Sequence, residues 1–103
     1  MTEEETADDE MTIQRFDSVW DAIEDTPQAA ANMRARSHIM IAIEQEVRSW
    51  ALTQAKAAGR LGVTQPRLND LLRGKVDKFS LDALVELSAR AGLAVTVGVA
   101  RAA

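Results

Sequence analysis

A chain of 103 residues with 47% hydrophobic residues is long enough for one small domain, and the absence of cysteine excludes disulfides and thiolate metal sites. It has no run of about eighteen apolar residues, and its acidic N-terminus is unlike a signal peptide, so we expect a soluble, cytoplasmic protein. The net charge of −4 is unevenly placed: residues 1–33 hold ten acidic residues and one arginine (−9), whereas residues 34–103 hold eleven basic and six acidic residues (+5). A basic body with an acidic tail predicts two partners of opposite charge, and the simpler alternative is a solvated tail without a partner.

The first 25 residues divide into a polar tail and an amphipathic segment. Residues 1–12 are too polar to bury a core, so we predict that they are disordered. In residues 13–25, apolar side chains recur at three- and four-residue steps, which predicts a helix of about three turns. This helix either packs on its own domain or lies in the groove of a partner protein, and the pattern leaves both open. The candidate partner-binding residues are Phe16, Val19, Trp20 and Ile23.

A long second helix is predicted from Pro27 to about Ala51. Thr26 provides its N-cap, and proline in the first turn of a helix costs no hydrogen bond. Its predicted buried stripe comprises Met40, Ile43, Val47 and Trp50. The arginines of this helix, Arg36 among them, are expected in solvent. His38 is the only histidine and has no companion at metal-binding spacing, so we expect no metal and no cofactor.

The next two helices, over about 54–61 and 65–73, have the spacing of a helix-turn-helix. Threonines cap both helices, and a glycine follows each of them. The positions that the motif requires are Ala58, Gly62, Leu68 and Leu71. Alanine lets the crossing helices approach closely, glycine takes the left-handed turn conformation, and the two leucines fill the joint. The motif predicts a DNA-binding unit.

The C-terminal part predicts a fifth helix and a strand. Phe79 precedes the cap Ser80 of a helix with apolar positions at Leu81, Leu84, Val85 and Leu87, and Gly92 ends that helix. From residue 94 to residue 99, valines alternate with small or polar residues, which is the period of a β-strand. One strand is unstable alone, so we expect it to pair with the same strand of a second copy, with a frayed terminus as the alternative. The predicted dimerisation residues are Val95, Val97 and Val99.

The helix over residues 65–73 carries side chains suited to reading bases, because the second helix of such a motif enters the major groove. The candidate base-reading residues are Gln65, Pro66, Arg67, Asn69 and Asp70. Amides match adenine and arginine matches guanine; Pro66 offers only an apolar contact, and Asp70 accepts from cytosine or orients Arg67. The candidate phosphate-binding residues are Gln54, Lys56, Thr64, Arg73, Lys75 and Lys78. Such phosphate contacts supply affinity and register.

The stretch LTQAKAAGRLGVTQPRLNDLLRGK at residues 52–75, followed by FSLDALVELSARAGL, resembles the Cro and lambda-repressor type of helix-turn-helix, the XRE family. It is similar to the version in HigA-like antitoxins, as are FDSVWDAI upstream and the C-terminal LAVTV. The resemblance implies an all-α, five-helix lambda-repressor-like domain with a short C-terminal β-strand. It also implies a homodimer that represses its own operon at a palindromic operator and neutralises a small basic RelE- or HigB-like ribonuclease toxin. By position, Gln54 would bind phosphate, whereas Gln65, Arg67 and Asn69 would read bases; Pro66 and Asp70 stand where lambda-type repressors often place amides.

The expected organisation is a tail over 1–12, a partner-binding helix over 13–25, a DNA-binding domain over 26–93 and a dimerising strand over 94–103. The alternative function is a stand-alone XRE-type regulator, phage-like or chromosomal, without a toxin partner. An enzyme is not expected, because one histidine, no cysteine, no tyrosine and no glycine-rich phosphate loop leave little from which to build a catalytic site.

Overall fold

The computed structural model describes residues 26–102, which form four α-helices and one 3₁₀ turn. The helices are α1 (Pro27–Ser49), α2 (Gln54–Leu61), α3 (Gln65–Leu72) and α4 (Leu81–Arg90), and the 3₁₀ turn, Val76–Lys78, lies between α3 and α4. None of these helices is long and apolar enough to cross a membrane. The tail predicted over 1–12 and the helix predicted over 13–25 lie outside the described residues.

Each helix begins at a hydroxyl side chain, as the sequence predicts. Thr26 Oγ1 accepts a hydrogen bond from the Ala29 amide at 3.0 Å, and proline occupies the first turn that follows. Equivalent bonds of 3.1–3.2 Å run to Thr53, Thr64 and Ser80 from the amides of Lys56, Arg67 and Ala83. These bonds satisfy amide groups that have no acceptor inside the first turn of a helix, so local chemistry fixes where each helix starts.

The helix-turn-helix spacing is confirmed. Ala58, Leu68 and Leu71 are 3%, 1% and 1% exposed, and Gly62 has a φ of 74° at the end of α2. The guanidinium of Arg90, at the end of α4, donates to the carbonyls of residues 61 and 62 at 3.3 Å. A Cβ on residue 62 would lie 3.0 Å from Arg90 Nη1. The turn between α2 and α3 is therefore fixed both by its backbone conformation and by α4.

One core holds the four helices and the 3₁₀ turn together. Apolar side chains of α1 and α4 pack against each other and against the α2–α3 pair. The core comprises Met40, Ile43, Val47, Ala57, Ala58, Leu61, Leu68, Leu71, Val76, Phe79, Leu84, Leu87 and Ala91. The predicted stripe of α1 is confirmed at its first three positions, while Trp50 is half-buried. Val85 of α4 is 41% exposed, so its assignment to the apolar face was wrong.

The predicted fold, five helices with a C-terminal β-strand, is corrected by the structure, because residues 26–102 hold four helices and no strand. After α4 the chain is without regular structure, and Val97 and Val99 are 81% and 91% exposed. A strand exists only where a second backbone accepts and donates its hydrogen bonds, and no such edge lies within the part of the chain that is described. The alternation of valines has the spacing of a strand, but spacing does not supply the partner strand that a sheet needs.

Ser37 is a buried polar residue of α1, and its replacement tests the cost of burying it. Its hydroxyl is buried in α1 and has no hydrogen-bond partner among the described residues. We expect Ser37→Ala to raise the free energy of unfolding by about 1 kcal/mol, because alanine removes an unpaired buried oxygen and favours the helix. Ser88→Ala is the matched control, since Ser88 is equally buried but its Oγ donates to the Val85 carbonyl at 2.7 Å. Urea unfolding should place Ser37→Ala above Ser88→Ala; the reverse order would contradict the assignment.

Candidate nucleic-acid interface

The outer face of α3 presents amide side chains at its N-terminal end. Gln65 and Pro66 are exposed, and Asn69 is half-exposed one turn later. Residues four apart lie on the same face of a helix, so Gln65 and Asn69 form a short row of two amides. Leu68 and Leu71 hold the opposite face in the core. α3 therefore has one face fixed by packing and one amide face open to a ligand.

Asp70 is placed beside a lysine. Its carboxylate lies 3.7 Å from Lys75 Nζ, and its backbone carbonyl accepts from the Lys75 amide at 3.1 Å. The sequence left open whether Asp70 accepts from cytosine or orients Arg67, and in the structure its carboxylate faces Lys75 instead. A pair this exposed adds little stability, but it reduces the repulsion that a lone carboxylate would exert on DNA.

Arg67 does not extend from α3 into solvent. Its guanidinium lies over the ring of Phe79, with Cζ 4.0 Å from the ring centroid, and Nη1 donates to the Lys78 carbonyl at 3.0 Å. Arg67 is half-buried, unlike its neighbours Gln65 and Pro66. Of the five predicted base-reading residues, α3 thus brings Gln65, Pro66 and Asn69 together on an open face, while Arg67 and Asp70 are engaged with the loop that follows.

The predicted phosphate-binding residues form two groups that flank the open face of α3 in the chain. Gln54 and Lys56 are exposed in the first turn of α2, where free backbone amides and the helix dipole favour an anion. The second group follows α3 and comprises Arg73, Lys75 and Lys78, of which Lys75 is half-buried. Thr64 is exposed, and its Oγ1 caps α3, which leaves the hydroxyl hydrogen available to donate.

Sequence reasoning missed three long-range contacts made by arginines. Arg36, expected in solvent, is half-buried, and its Nη1 donates to the Phe79 carbonyl at 3.0 Å. Arg48 Nη2 donates to the Leu72 carbonyl at 3.4 Å, and Arg90 reaches the turn before α3. The paired residues are 43, 24 and 29 positions apart, so local sequence patterns cannot predict these contacts. Together they attach both ends of the recognition unit to α1 and α4.

The remaining predicted sites lie away from α3 in the chain. Val95, Val97 and Val99 are exposed in the C-terminal arm, residues 94–102, which has no regular structure. The partner-binding residues Phe16, Val19, Trp20 and Ile23 lie outside the described residues.

The comparison with known proteins gives one family. A family model described as a helix-turn-helix domain matches residues 22–100, about three-quarters of the chain. No curated protein matches the sequence. The match covers all four helices and includes the motif whose glycine turn, leucine joint and open amide face are described above. The chain therefore belongs to the helix-turn-helix domain family of DNA-binding proteins.

Proposed function

We propose that this protein is a sequence-specific transcriptional repressor that reads double-stranded DNA with α3 and also acts as the antitoxin of a RelE- or HigB-like ribonuclease toxin, repressing their shared operon. One observation supports the DNA-reading part most strongly: Gln65 and Asn69 form an open row of amides on the first turns of α3. Both amides can hold adenine in the major groove through one donor and one acceptor.

The basic residues give this reading face its affinity. Lys56 precedes α3, whereas Arg73 and Lys78 follow it, and all three are exposed. Contacts from such residues to phosphates position a protein on the duplex and make its affinity depend on salt, but they carry no sequence information. Repression follows from occupancy, because a protein bound across a promoter excludes the polymerase.

A homodimer is part of the proposal. Two recognition helices held about 34 Å apart read a palindrome on one side of the duplex. Three valines of the C-terminal arm, Val95, Val97 and Val99, are exposed and apolar, and contact with a second copy would remove them from water. Sedimentation of the full chain, alone and on DNA, measures this directly, and a monomer under both conditions would contradict the dimer.

The antitoxin role rests on the charge distribution and on the resemblance to HigA-like antitoxins. Residues 1–33 hold ten acidic residues and one arginine, and DNA would repel such a segment. A ribonuclease that binds RNA is expected to be basic, so this segment suits it as a partner. We propose that Phe16, Val19, Trp20 and Ile23 supply the apolar contact with the toxin.

Separate variants of the two surfaces test this function. The chain is expressed together with the product of the neighbouring reading frame, and growth, operator binding and copurification are measured. We expect Phe16→Glu/Trp20→Glu to lose protection from the toxin and copurification while operator binding persists, because only the toxin contact is changed. Gln65→Ala/Asn69→Ala is the matched control, and it should keep protection while losing operator binding.

A neighbouring product that is harmless and does not copurify would contradict the antitoxin role. The protein would then be a stand-alone regulator, a second candidate that is supported by the open amides of Gln65 and Asn69 within residues 26–102.

A further inference from the structure

The strongest unexplained feature of the fold is the contact between Arg67 and the loop that carries the phosphate-binding lysines. Arg67 lies in the first turn of α3, yet its side chain turns back to the segment that follows α3. Its guanidinium stacks on the Phe79 ring at 4.0 Å, and Nη1 donates to the Lys78 carbonyl at 3.0 Å. Arg67 thus joins α3 to two consecutive residues that lie eleven and twelve positions later.

The other side of this contact is rigid. Phe79 is 1% exposed and belongs to the core. Its carbonyl accepts from Arg36 Nη1 at 3.0 Å, and Arg36 Nε is itself held by Asn32 Oδ1 at 2.7 Å. Phe79 is therefore fixed through its ring, its burial and its backbone. The Arg67 guanidinium therefore stacks on a ring that is itself held in place. Moving it away would break both the ring contact and the hydrogen bond to Lys78.

The segment that Arg67 contacts is anchored by Val76 in the core and by backbone hydrogen bonds of 3.0–3.2 Å from the amides of Lys78 and Phe79. The 3₁₀ turn Val76–Lys78 has no side-chain hydrogen bond at its cap. The side chain of Val76 is buried, and the basic residues Lys75 and Lys78 stand on either side of it. Lys75 is paired with Asp70 of α3, and Lys78 is fixed through its carbonyl by Arg67. Two side chains of α3, those of Asp70 and Arg67, thus add contacts to both lysines beyond the backbone bonds of the turn.

We propose that Arg67 is a positioning residue, which holds the lysine-bearing turn at a set distance from the reading face of α3 and does not itself read a base. This inference rests on the proposed DNA binding and assigns base selection to Gln65 and Asn69. Because Asp70 and Arg67 attach the lysine-bearing turn to α3, the lysines reach the phosphates at a set position relative to the bases that the amides contact.

The first test is selection of binding sites from a randomised duplex pool by the full chain and by its Arg67→Ala variant, followed by affinity measurements on the selected duplex and on a random one. We expect the same consensus from both proteins, and a loss of affinity of roughly three- to thirtyfold on both duplexes. Arg60→Ala is the matched control: it removes one charge and a similar stack, 3.9 Å above Trp50, at a place that the inference does not use. We expect it to stay within about threefold of the parent on both duplexes.

Phe79→Leu separates positioning from a direct phosphate contact. This variant leaves every charge in place and removes the ring on which Arg67 stacks, and it also lowers stability because Phe79 belongs to the core. Positioning predicts that it loses affinity as Arg67→Ala does, and that the double variant is no weaker than either single variant. A direct contact predicts that Phe79→Leu has little effect. Thermal unfolding of each variant fixes an assay temperature at which all are folded.

A spectroscopic readout follows the contact itself. Protons of Arg67 over the Phe79 ring should resonate upfield of those of an exposed arginine such as Arg73, and Phe79→Leu should abolish the shift. We expect the shift to persist when the selected duplex is added. Its loss on DNA, or a consensus in which Arg67→Ala relaxes one position, would overturn the inference and leave the repressor intact. Failure of the parent chain to select any sequence would overturn both.

Discussion

Replacing Leu68 by alanine is expected to lower the free energy of unfolding by about 2–5 kcal/mol, the range for emptying a well-packed leucine site. Leu68 is 1% exposed and lies on the inner face of α3, opposite the face that carries the amides of Gln65 and Asn69. It belongs to the core that joins all four helices, so its neighbours cannot close the cavity without moving α3. A domain of this size has roughly 5–10 kcal/mol in total, and the variant should lose a large part of it.

Urea unfolding followed by circular dichroism measures the effect of Leu68→Ala. Leu72→Ala is the matched control, because Leu72 is the last residue of the same helix and is only half-buried. We expect it to cost less than half as much as Leu68→Ala. Leu68→Met keeps the volume nearly constant and should cost below about 1.5 kcal/mol. A loss below 1 kcal/mol for Leu68→Ala would show that α3 is not held by this joint.

The elements that the sequence predicted well are those fixed by local chemistry. Thr53 and Thr64 cap their helices because a hydroxyl three residues before an amide can accept from it. Gly62 and Gly74 take φ values of 74° and 73° at turns where a Cβ would be strained. Such rules act within one helical turn, so the sequence alone was enough to place the motif and both of its helices.

The elements that the sequence predicted poorly depend on distant parts of the chain. The valine alternation after residue 94 could not reveal whether a second backbone lies beside it, and within the described residues none does. The sequence placed Arg67 on α3, but it did not reveal that folding brings the Phe79 ring under the guanidinium. Arg36 was expected in solvent because it is charged, yet its long side chain reaches a carbonyl 43 residues away.

The contrast between local patterns and long-range contacts matters most for deciding which residues of α3 read bases. Spacing along α3 identifies which residues face outward, and Gln65 and Asn69 do so. It does not identify which of the outward residues is held by a neighbour. Only the packing of the loop after α3 distinguishes the open amides from Arg67, whose hydrogen bond to Lys78 engages one of its terminal nitrogens. Specificity is therefore expected to depend on fewer side chains than the sequence indicates.

Removing both amides of the reading face, in Gln65→Ala/Asn69→Ala, is expected to reduce affinity for the selected duplex to that for random DNA. Each bidentate amide contact with adenine contributes about 1–3 kcal/mol of discrimination, so the pair accounts for a thirtyfold difference or more. Within the described residues, the side chains of Gln65 and Asn69 make no hydrogen bond, whereas those of Thr64 and Arg67 do. The variant should accordingly keep the melting temperature of the parent.

Titrations of the selected and random duplexes at several salt concentrations measure this effect. The double variant should bind random DNA as the parent does, with an unchanged salt dependence, because no charge is lost. Arg73→Ala should behave in the opposite way, weakening both duplexes alike and reducing the salt slope by about one. Gln28→Ala, an exposed glutamine at the start of α1, controls for loss of an amide outside α3. If the double variant still prefers the selected duplex by as much as the parent does, Gln65 and Asn69 do not read bases, and the specificity of this fold resides elsewhere.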